Sequence, residues 1–319
     1  MNIFIQIIRK EYKELARERL LIALLVMLLL LLGLCFYFGW VNSKHEQQLI
    51  DKAQETKQQE WVQQADKHPH IAAHYGTYVF KPKSVLSVFD PGLDSFTGTS
   101  VYLEAHYQHE FMFRPAQEHS SMIRFGQLNP AVVLQILLPL LIIFLTFNSI
   151  TKEKERGTLK LLTTQGISNQ KIVLAKVSAY MIIIVAILLP FFVIMGIYAS
   201  LLDVSISGII PRFIMLTAFY FCYIFVFLLF SVFVSLKSSS SKNSLLALLS
   251  FWFLSTVIIP KTAANIGESL YPAPSFKEYK EAISKDIETG MGNDGTREER
   301  ESELQNKYLS EYQVESINE

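Results

Sequence analysis

Hydrophobic positions along the chain gather into five long runs: Leu20 to Trp40, Val132 to Ile150, Ile172 to about Leu202, Phe213 to Val234, and Leu245 to Ile259. A soluble fold scatters its apolar residues in short periodic stretches. Runs approaching about 20 residues are what a helix needs to cross a bilayer's hydrocarbon core. Lipid offers no partner to an unpaired backbone group, so such spans must be helical. The pattern predicts an all-α polytopic membrane protein with about five transmembrane helices and a mostly helical extracytoplasmic insertion and tail. The first run exceeds a signal peptide's apolar core and no A-x-A-like site follows it, so it reads as an uncleaved anchor. Pro190, inside the third run, predicts a kink or a break towards the far membrane face.

Charge sets the orientation. Arg9, Lys10, Lys13, Arg17 and Arg19 precede the first run. Lys152, Lys154, Arg156, Lys160, Lys171 and Lys176 are placed between the second and third, and Lys237 and Lys242 between the fourth and fifth. If each run crosses once, all three basic segments share one side, which the positive-inside rule makes the cytoplasm. The short opposite loop, Asp203 to Pro211, has no basic residue. The expected organisation is a cytoplasmic segment over 1–19, a span over 20–40, an extracytoplasmic insertion over 41–131 and a span over 132–150. A cytoplasmic loop over 151–171, three spans over 172–259 and an extracytoplasmic tail over 260–319 follow.

Two cytoplasmic segments carry further pattern. Phe4, Ile8, Tyr12 and Leu15 recur at helical spacing opposite Gln6, Arg9, Lys13 and Arg17, as in an amphipathic helix lying in the membrane interface. The loop after the second run opens with Thr151-Lys-Glu-Lys-Glu-Arg-Gly157 and turns apolar at Leu159, Leu161 and Leu162. Ser168 is placed to cap the next helix, and Gly157 permits close backbone approach. Two readings stay open from pattern alone: a short helix offering an apolar patch to a partner's groove, or an ordinary loop whose lysines only fix topology.

The residues Glu155-Arg-Gly-Thr-Leu159, then Leu161-Leu162 and Gly166-Ile-Ser168, resemble the cytoplasmic signature of ABC-2 type transporter permeases. The resemblance implies that this loop is a coupling helix docking on an ATP-binding cassette subunit, through Glu153, Glu155, Arg156, Gly157, Thr158, Leu159 and Leu162. It also implies that Phe4, Ile8, Tyr12 and Leu15 form the family's elbow helix. His68-Pro-His70, Ala73-His-Tyr-Gly76, Phe80-Lys-Pro82 and Phe89-Asp-Pro-Gly-Leu-Asp-Ser-Phe-Thr-Gly98 are similar to a bacterial subgroup with a large extracytoplasmic insertion after the first span. Members of that subgroup continue to a final span, which would make this 319-residue chain a fragment or a shortened protein.

Within the insertion, Lys44 to Asp66 is polar and reads as a helix extending from the first span, with Trp61 and Val62 as packing residues. Asp90 to Gly98 is turn chemistry, and Val101 to Phe113 is apolar enough to pack. All seven histidines lie in the insertion, and His68, His70, His74, His106 and His109 are weak candidates for a transition-metal site. Without cysteines or carboxylates of fixed geometry nearby, packing histidines are the expectation, with a pH-responsive interface as a third reading. No metal or other cofactor is assigned to the chain.

Composition narrows the function classes. Formal net charge is zero, which argues against a nucleic-acid partner. Cys35 and Cys222 both sit in hydrophobic runs, so no disulfide framework is expected. No Walker-type loop, Gly-x-Ser-x-Gly or His-Glu-x-x-His motif occurs, and the chain is not expected to be an enzyme. The runs are read as free of Asp, Glu, Lys and Arg; their mild polar residues, among them Gln135, Thr146, Tyr180, Tyr220 and Ser250, suit helix–helix hydrogen bonds.

The leading expectation is a permease subunit of an ABC-2 type exporter in a bacterial inner membrane, with its N-terminus cytoplasmic. Its partners would be a separate ATP-binding cassette subunit, a second permease subunit and membrane lipid. The alternatives are an ATP-driven mechanical transmitter acting through the insertion without transport, and a membrane-anchored metal-binding protein.

Overall fold

The computed structural model describes residues 3–94, 96–105, 107–109, 128–201, 208–292, 294–314 and 316. It divides into two units, 1–254 and 255–319. Among the described residues, five helices are long and apolar enough to cross a membrane: Arg19–Val62, Pro130–Glu155, Asn169–Leu201, Ile209–Lys237 and Ser241–Leu270.

The first unit opens with α1 (Ile3–Leu15) and α2 (Arg19–Val62). At about 1.5 Å per residue, α2 is roughly 66 Å long, twice a bilayer's hydrocarbon core. Its polar second half therefore continues the apolar first half as one helix, ending at Val62. After α3 (Pro69–Ala73), three short antiparallel strands follow in the order β1 (Thr77–Phe80), β2 (Ser100–Glu104) and β3 (Tyr107–Gln108). Tyr78 faces Tyr102 in the register. The sequence reading expected no sheet here. Thr77, Val79 and Val101 are β-branched and Tyr78, Phe80 and Tyr102 aromatic, residues that suit a pleated, half-buried surface. Gly76 is required at the sheet's edge, since a Cβ there would lie 2.6 Å from the Leu103 carbonyl oxygen. Of the apolar stretch Val101 to Phe113, residues 106 and 110–113 lie outside the described residues.

The second candidate span is built from α4 (Pro130–Val132), a π-helical turn over Val133–Leu137 and α5 (Leu138–Thr146). Pro139 explains the widening. It has no N–H and its ring clashes with the carbonyl four residues back, that of Gln135. The freed carbonyls find side chains instead: Tyr223 Oη donates to Gln135 O at 2.9 Å and Trp252 Nε1 to Ile136 O at 3.0 Å. Short helices α6 (Thr151–Glu155) and α7 (Thr158–Thr164) lead into α8 (Asn169–Leu201), α9 (Ile209–Lys237) and α10 (Ser241–Phe253). Helix α8 runs through Pro190 unbroken, contrary to a break there. The next two residues, Phe191 and Phe192, are buried against Phe89, which holds the helix across the missing hydrogen bond.

The core lies between α2, α5, α8, α9 and α10, around fully buried Leu32, Leu134, Ile142, Leu188, Ile224 and Leu248. Hydroxyls join the helices where lipid supplies no donors. Thr146 and Ser231 share a hydrogen bond of 2.5 Å. Ser235 donates to Phe147 O at 2.9 Å and accepts from Ile150 N at 3.1 Å, satisfying backbone groups left open where α5 ends.

The insertion is locked onto the helices by a 3₁₀ turn over Val85–Val88. Phe89 follows it, fully buried, with Tyr220 edge-on at 5.3 Å between ring centroids. Asp90 accepts from Tyr220 Oη at 2.9 Å, and Gln135 Nε2 donates to the same oxygen at 2.8 Å.

In the second unit, α11 (Ile259–Leu270) precedes α12 (Phe276–Thr289) and α13 (Arg297–Tyr312). The last two each start at a capping box, Ser275 with Glu278 and Thr296 with Glu299, so local sequence defines their first turns.

Replacing Phe89 with alanine should open a cavity among Phe191, Phe192 and Tyr220 and destabilise the fold by about 3–5 kcal/mol. Thermal unfolding in detergent should register a clear drop for Phe89→Ala and almost none for Leu93→Ala, whose side chain is exposed.

Candidate functional site

The site is a charged junction where α1, α6 and α8 meet. Helix α1 packs along α8 on a face centred on Ile7 and Glu11, with Phe4 and Leu15 at its margins. Ile8 is half-buried and Tyr12 points outward. A carboxylate at the centre of a packing face must be paired, because an isolated buried charge is strongly disfavoured. Glu11 Oε1 lies 2.6 Å from Lys176 Nζ of α8, and Glu11 Oε2 accepts from Tyr180 Oη at 2.7 Å. Lys176 also lies 3.0 Å from Glu153 Oε1, which accepts from Lys10 at 2.6 Å. Lys152 pairs with Glu14 at 3.1 Å and Lys10 approaches Glu14 at 3.5 Å. Three lysines thus face three glutamates, and the cluster is neutral as a whole. Glu153 Oε2 is buried without a hydrogen-bond partner among the described residues.

The next two residues reach elsewhere. Lys154 Nζ donates to the carbonyls of Leu236 and Ser238 at the end of α9. Glu155 accepts from Ser241 N at 2.6 Å and Ser241 Oγ at 3.0 Å, at the start of α10. A cation at a helix C-terminus and an anion at an N-terminus both complement the helix dipoles. Residues 152–155 therefore grip four helices in succession: α1, α8, α9 and α10. Gly157 then takes φ +72°, the left-handed conformation that lets α6 end and α7 begin at once. Thr158 Oγ1 donates to Glu153 O at 3.3 Å.

Residues singled out from the sequence divide accordingly. Glu153 is buried in the junction, and Leu159 and Leu162 pack against the chain's own core, so the expected apolar patch is largely covered. Leu161 is 62% exposed, and Arg156 is exposed with no ion pair among the described residues. Both line a 510 Å³ groove between α1 and α7, with Ile3, Gln6 and Gln165.

Lys176 corrects the sequence reading. It is no loop residue but part of α8, 2% exposed, so a candidate span does hold a charge. The placement after Ile172 failed to weigh a lysine inside an otherwise apolar helix, which calls for a buried partner. Glu11 was missed with it, an acidic residue four positions beyond Ile7 being the available signal; Lys10 was read only as a charge that fixes topology, whereas Tyr180 makes the helix–helix hydrogen bond expected of it, to Glu11.

The four described candidate metal histidines, His68, His70, His74 and His109, do not gather into a group of three or more. His68 accepts from His70 N at 3.2 Å, and His109 pairs with Glu104 at 2.7 Å. His70 and His74 come together, while His106 lies outside the described residues. No group of three or more His, Cys, Asp or Glu is placed to hold a metal among the described residues.

A family model described as ABC-2 family transporter protein matches residues 5–300, from α1 into α13. The chain belongs to the ABC-2 transporter family. No curated protein matches it. The membrane-spanning helices and the family together make it an integral membrane protein, a permease subunit of a transport system. The charged junction is thus the means by which this permease fastens its first helix and its 151–168 loop to its spans.

Burial works against the Glu14 carboxylate, but Lys152 and Lys10 outweigh it and hold its pKa below the ordinary 4.5. Burial likewise opposes the Lys10 charge, yet Glu153, Glu11 and Glu14 raise its pKa above 10.5. The Glu14 contribution is present above pH 4.5 and lost as pH falls through the lower folded value. The Lys10 contribution is present below 10.5 and lost as pH rises through the higher one. A spin label at Ala16 should stay immobile between these limits and gain mobility in acid; Glu14→Gln should remove its share of the acid transition.

Lys176→Met should leave two buried carboxylates short of a cation and cost about 3–5 kcal/mol, as breaking buried pairs does. The thermal midpoint of Lys176→Met should fall well below wild type, and adding Glu11→Gln should recover part of the loss.

Proposed function

We propose that this permease is the membrane subunit of an ATP-driven exporter and that a separate ATP-binding cassette subunit docks on its 151–168 loop. The observation that carries this reading is the grip of Lys152 to Glu155 on four helices. A displacement of this loop would be felt at once by α1, α8, α9 and α10. The exposed side of the loop, with Arg156 and Leu161 beside the groove, offers the contact surface, and Gly157 supports the tight turn. The basic segments before α2 and within 151–171 favour a cytoplasmic face for this end and for the N-terminus, in a bacterial inner membrane. A second permease subunit, identical or related, would complete the transport path.

A second reading has its own observation in favour. The Phe89–Asp90 lock ties the insertion to α8, α9 and the π-helical turn, so cassette closure could be passed to the insertion as mechanical work without transport. ATP-dependent movement of an amphipathic probe in reconstituted vesicles would rule that reading out.

Exchanging Leu161 for aspartate together with Arg156→Glu should reduce co-purification of the ATPase subunit and permease-stimulated ATP hydrolysis at least tenfold. The thermal midpoint should not change, since neither side chain supports the core. If simultaneous replacement of Gly157, Thr158 and Leu159 left assembly and ATPase coupling intact, the docking assignment would be wrong.

A further inference from the structure

We propose that the groove between α1 and α7 binds one anionic phospholipid, whose phosphodiester is held by Arg156 and Lys152. At 510 Å³ the groove falls within the ~300–1,000 Å³ of small-molecule sites.

Charge decides the sign of the ligand. Three cations line the groove, Lys10, Lys152 and Arg156, against two carboxylates, Glu14 and Glu153, which leaves one positive charge in excess. The carboxylates are already held. Lys152 takes Glu14 at 3.1 Å, and Glu153, 7% exposed, is taken by Lys10 at 2.6 Å and Lys176 at 3.0 Å. Arg156 is the cation left over, exposed and without an ion pair among the described residues. Lys152 precedes it by one helical turn, Arg156 N donating to Lys152 O at 3.1 Å, so the two side chains leave the same face. A planar guanidinium can donate to two phosphate oxygens at once, and a neighbouring ammonium adds a further donor. The single excess charge matches the one negative charge of a phosphodiester.

The apolar lining decides between a lipid and a soluble anion. Ile3, Leu161, Ile167 and Ile172 share the groove with these charges, and a small hydrophilic anion would gain nothing from them. Ile172 opens the apolar run of α8, and Arg156 directly follows the second candidate span. The groove therefore lies where hydrocarbon gives way to headgroups. Helix α1 leaves Ile3 and Ile5 exposed on its surface, as a helix lying in the membrane interface does. Basic pockets at the ends of spans suit acidic headgroups for the same electrostatic reason. A lipid seated here would brace α1 against α7 from outside the buried junction. The cassette contact proposed above shares Arg156 and Leu161 with this groove, so lipid binding is measured on the permease alone and its outcome does not depend on docking.

The purified full chain, delipidated in mild detergent, is titrated with phosphatidylglycerol or with phosphatidylethanolamine of the same acyl chains and read by native mass spectrometry. Wild type should retain one phosphatidylglycerol per chain and bind it at least fivefold tighter than phosphatidylethanolamine. Arg156→Gln should weaken phosphatidylglycerol binding about tenfold, as loss of a charge-assisted hydrogen bond does. Gln6→Trp, which fills the groove from α1, should weaken it by a similar factor. Arg9→Gln removes an equal charge from the exposed side of α1 outside the groove and should change binding less than twofold. All three side chains are exposed, so the variants should unfold at the wild-type temperature. Equal binding of the two lipids by wild type would overturn the proposal, as would undiminished binding by Arg156→Gln. An equal loss in Arg9→Gln and Arg156→Gln would reduce it to diffuse attraction and overturn it too. Displacement of the lipid by excess glycerol phosphate would do the same, since the apolar lining would then contribute nothing.

Discussion

A lysine ammonium inside an apolar helix is tolerated only where anions reach it, and in this permease they come from two separate segments. Lys176 lies on α8, Glu11 on α1 and Glu153 on α6. Because the ammonium has no water to fall back on, neither carboxylate can leave without exposing an unpaired charge to a low-dielectric interior. The positions of α1 and of the 151–168 loop are therefore set by the same cation. The remaining pairs, Lys10 with Glu153 and Lys152 with Glu14, are more exposed and add orientation more than strength.

The opposite attachment has different physics. Phe89 inserts a ring among aromatic side chains, and the directional part is a chain of two hydrogen bonds from Gln135 through Tyr220 to Asp90. Gln135 sits in the π-helical turn that Pro139 imposes. One backbone irregularity thus supplies both a carbonyl for Tyr223 and a side chain for Tyr220. A helix with an N–H at position 139 in place of Pro139 would have spent the Gln135 carbonyl within its own ladder and left none for Tyr223.

Much of the architecture was legible in the sequence because membrane spans announce themselves by length and composition alone. The long run from Leu20 needed no tertiary information to be read as a helix, nor did the polar continuation to Val62. What escaped was whatever depends on which residues meet. Glu153 looked like a loop charge open to a partner; only the three-dimensional path of α1 reveals that Lys10 and Lys176 enclose it. Leu159 and Leu162 looked like a free apolar patch for the same reason. The strands escaped because they are short and lie between turns, where residues such as Gly98 and Thr99 give no periodic signal.

The unbroken α2 has a mechanical corollary. With no proline from Arg19 to Val62, it behaves as a single stiff rod whose polar half extends roughly 30 Å past its apolar half. A rod amplifies rotation. A tilt of about 5° where the apolar half packs would carry the tip through roughly 3 Å, as large as a hydrogen bond is long. Small rearrangements among the spans would therefore arrive at residues near Trp61 as displacements large enough to make or break specific contacts.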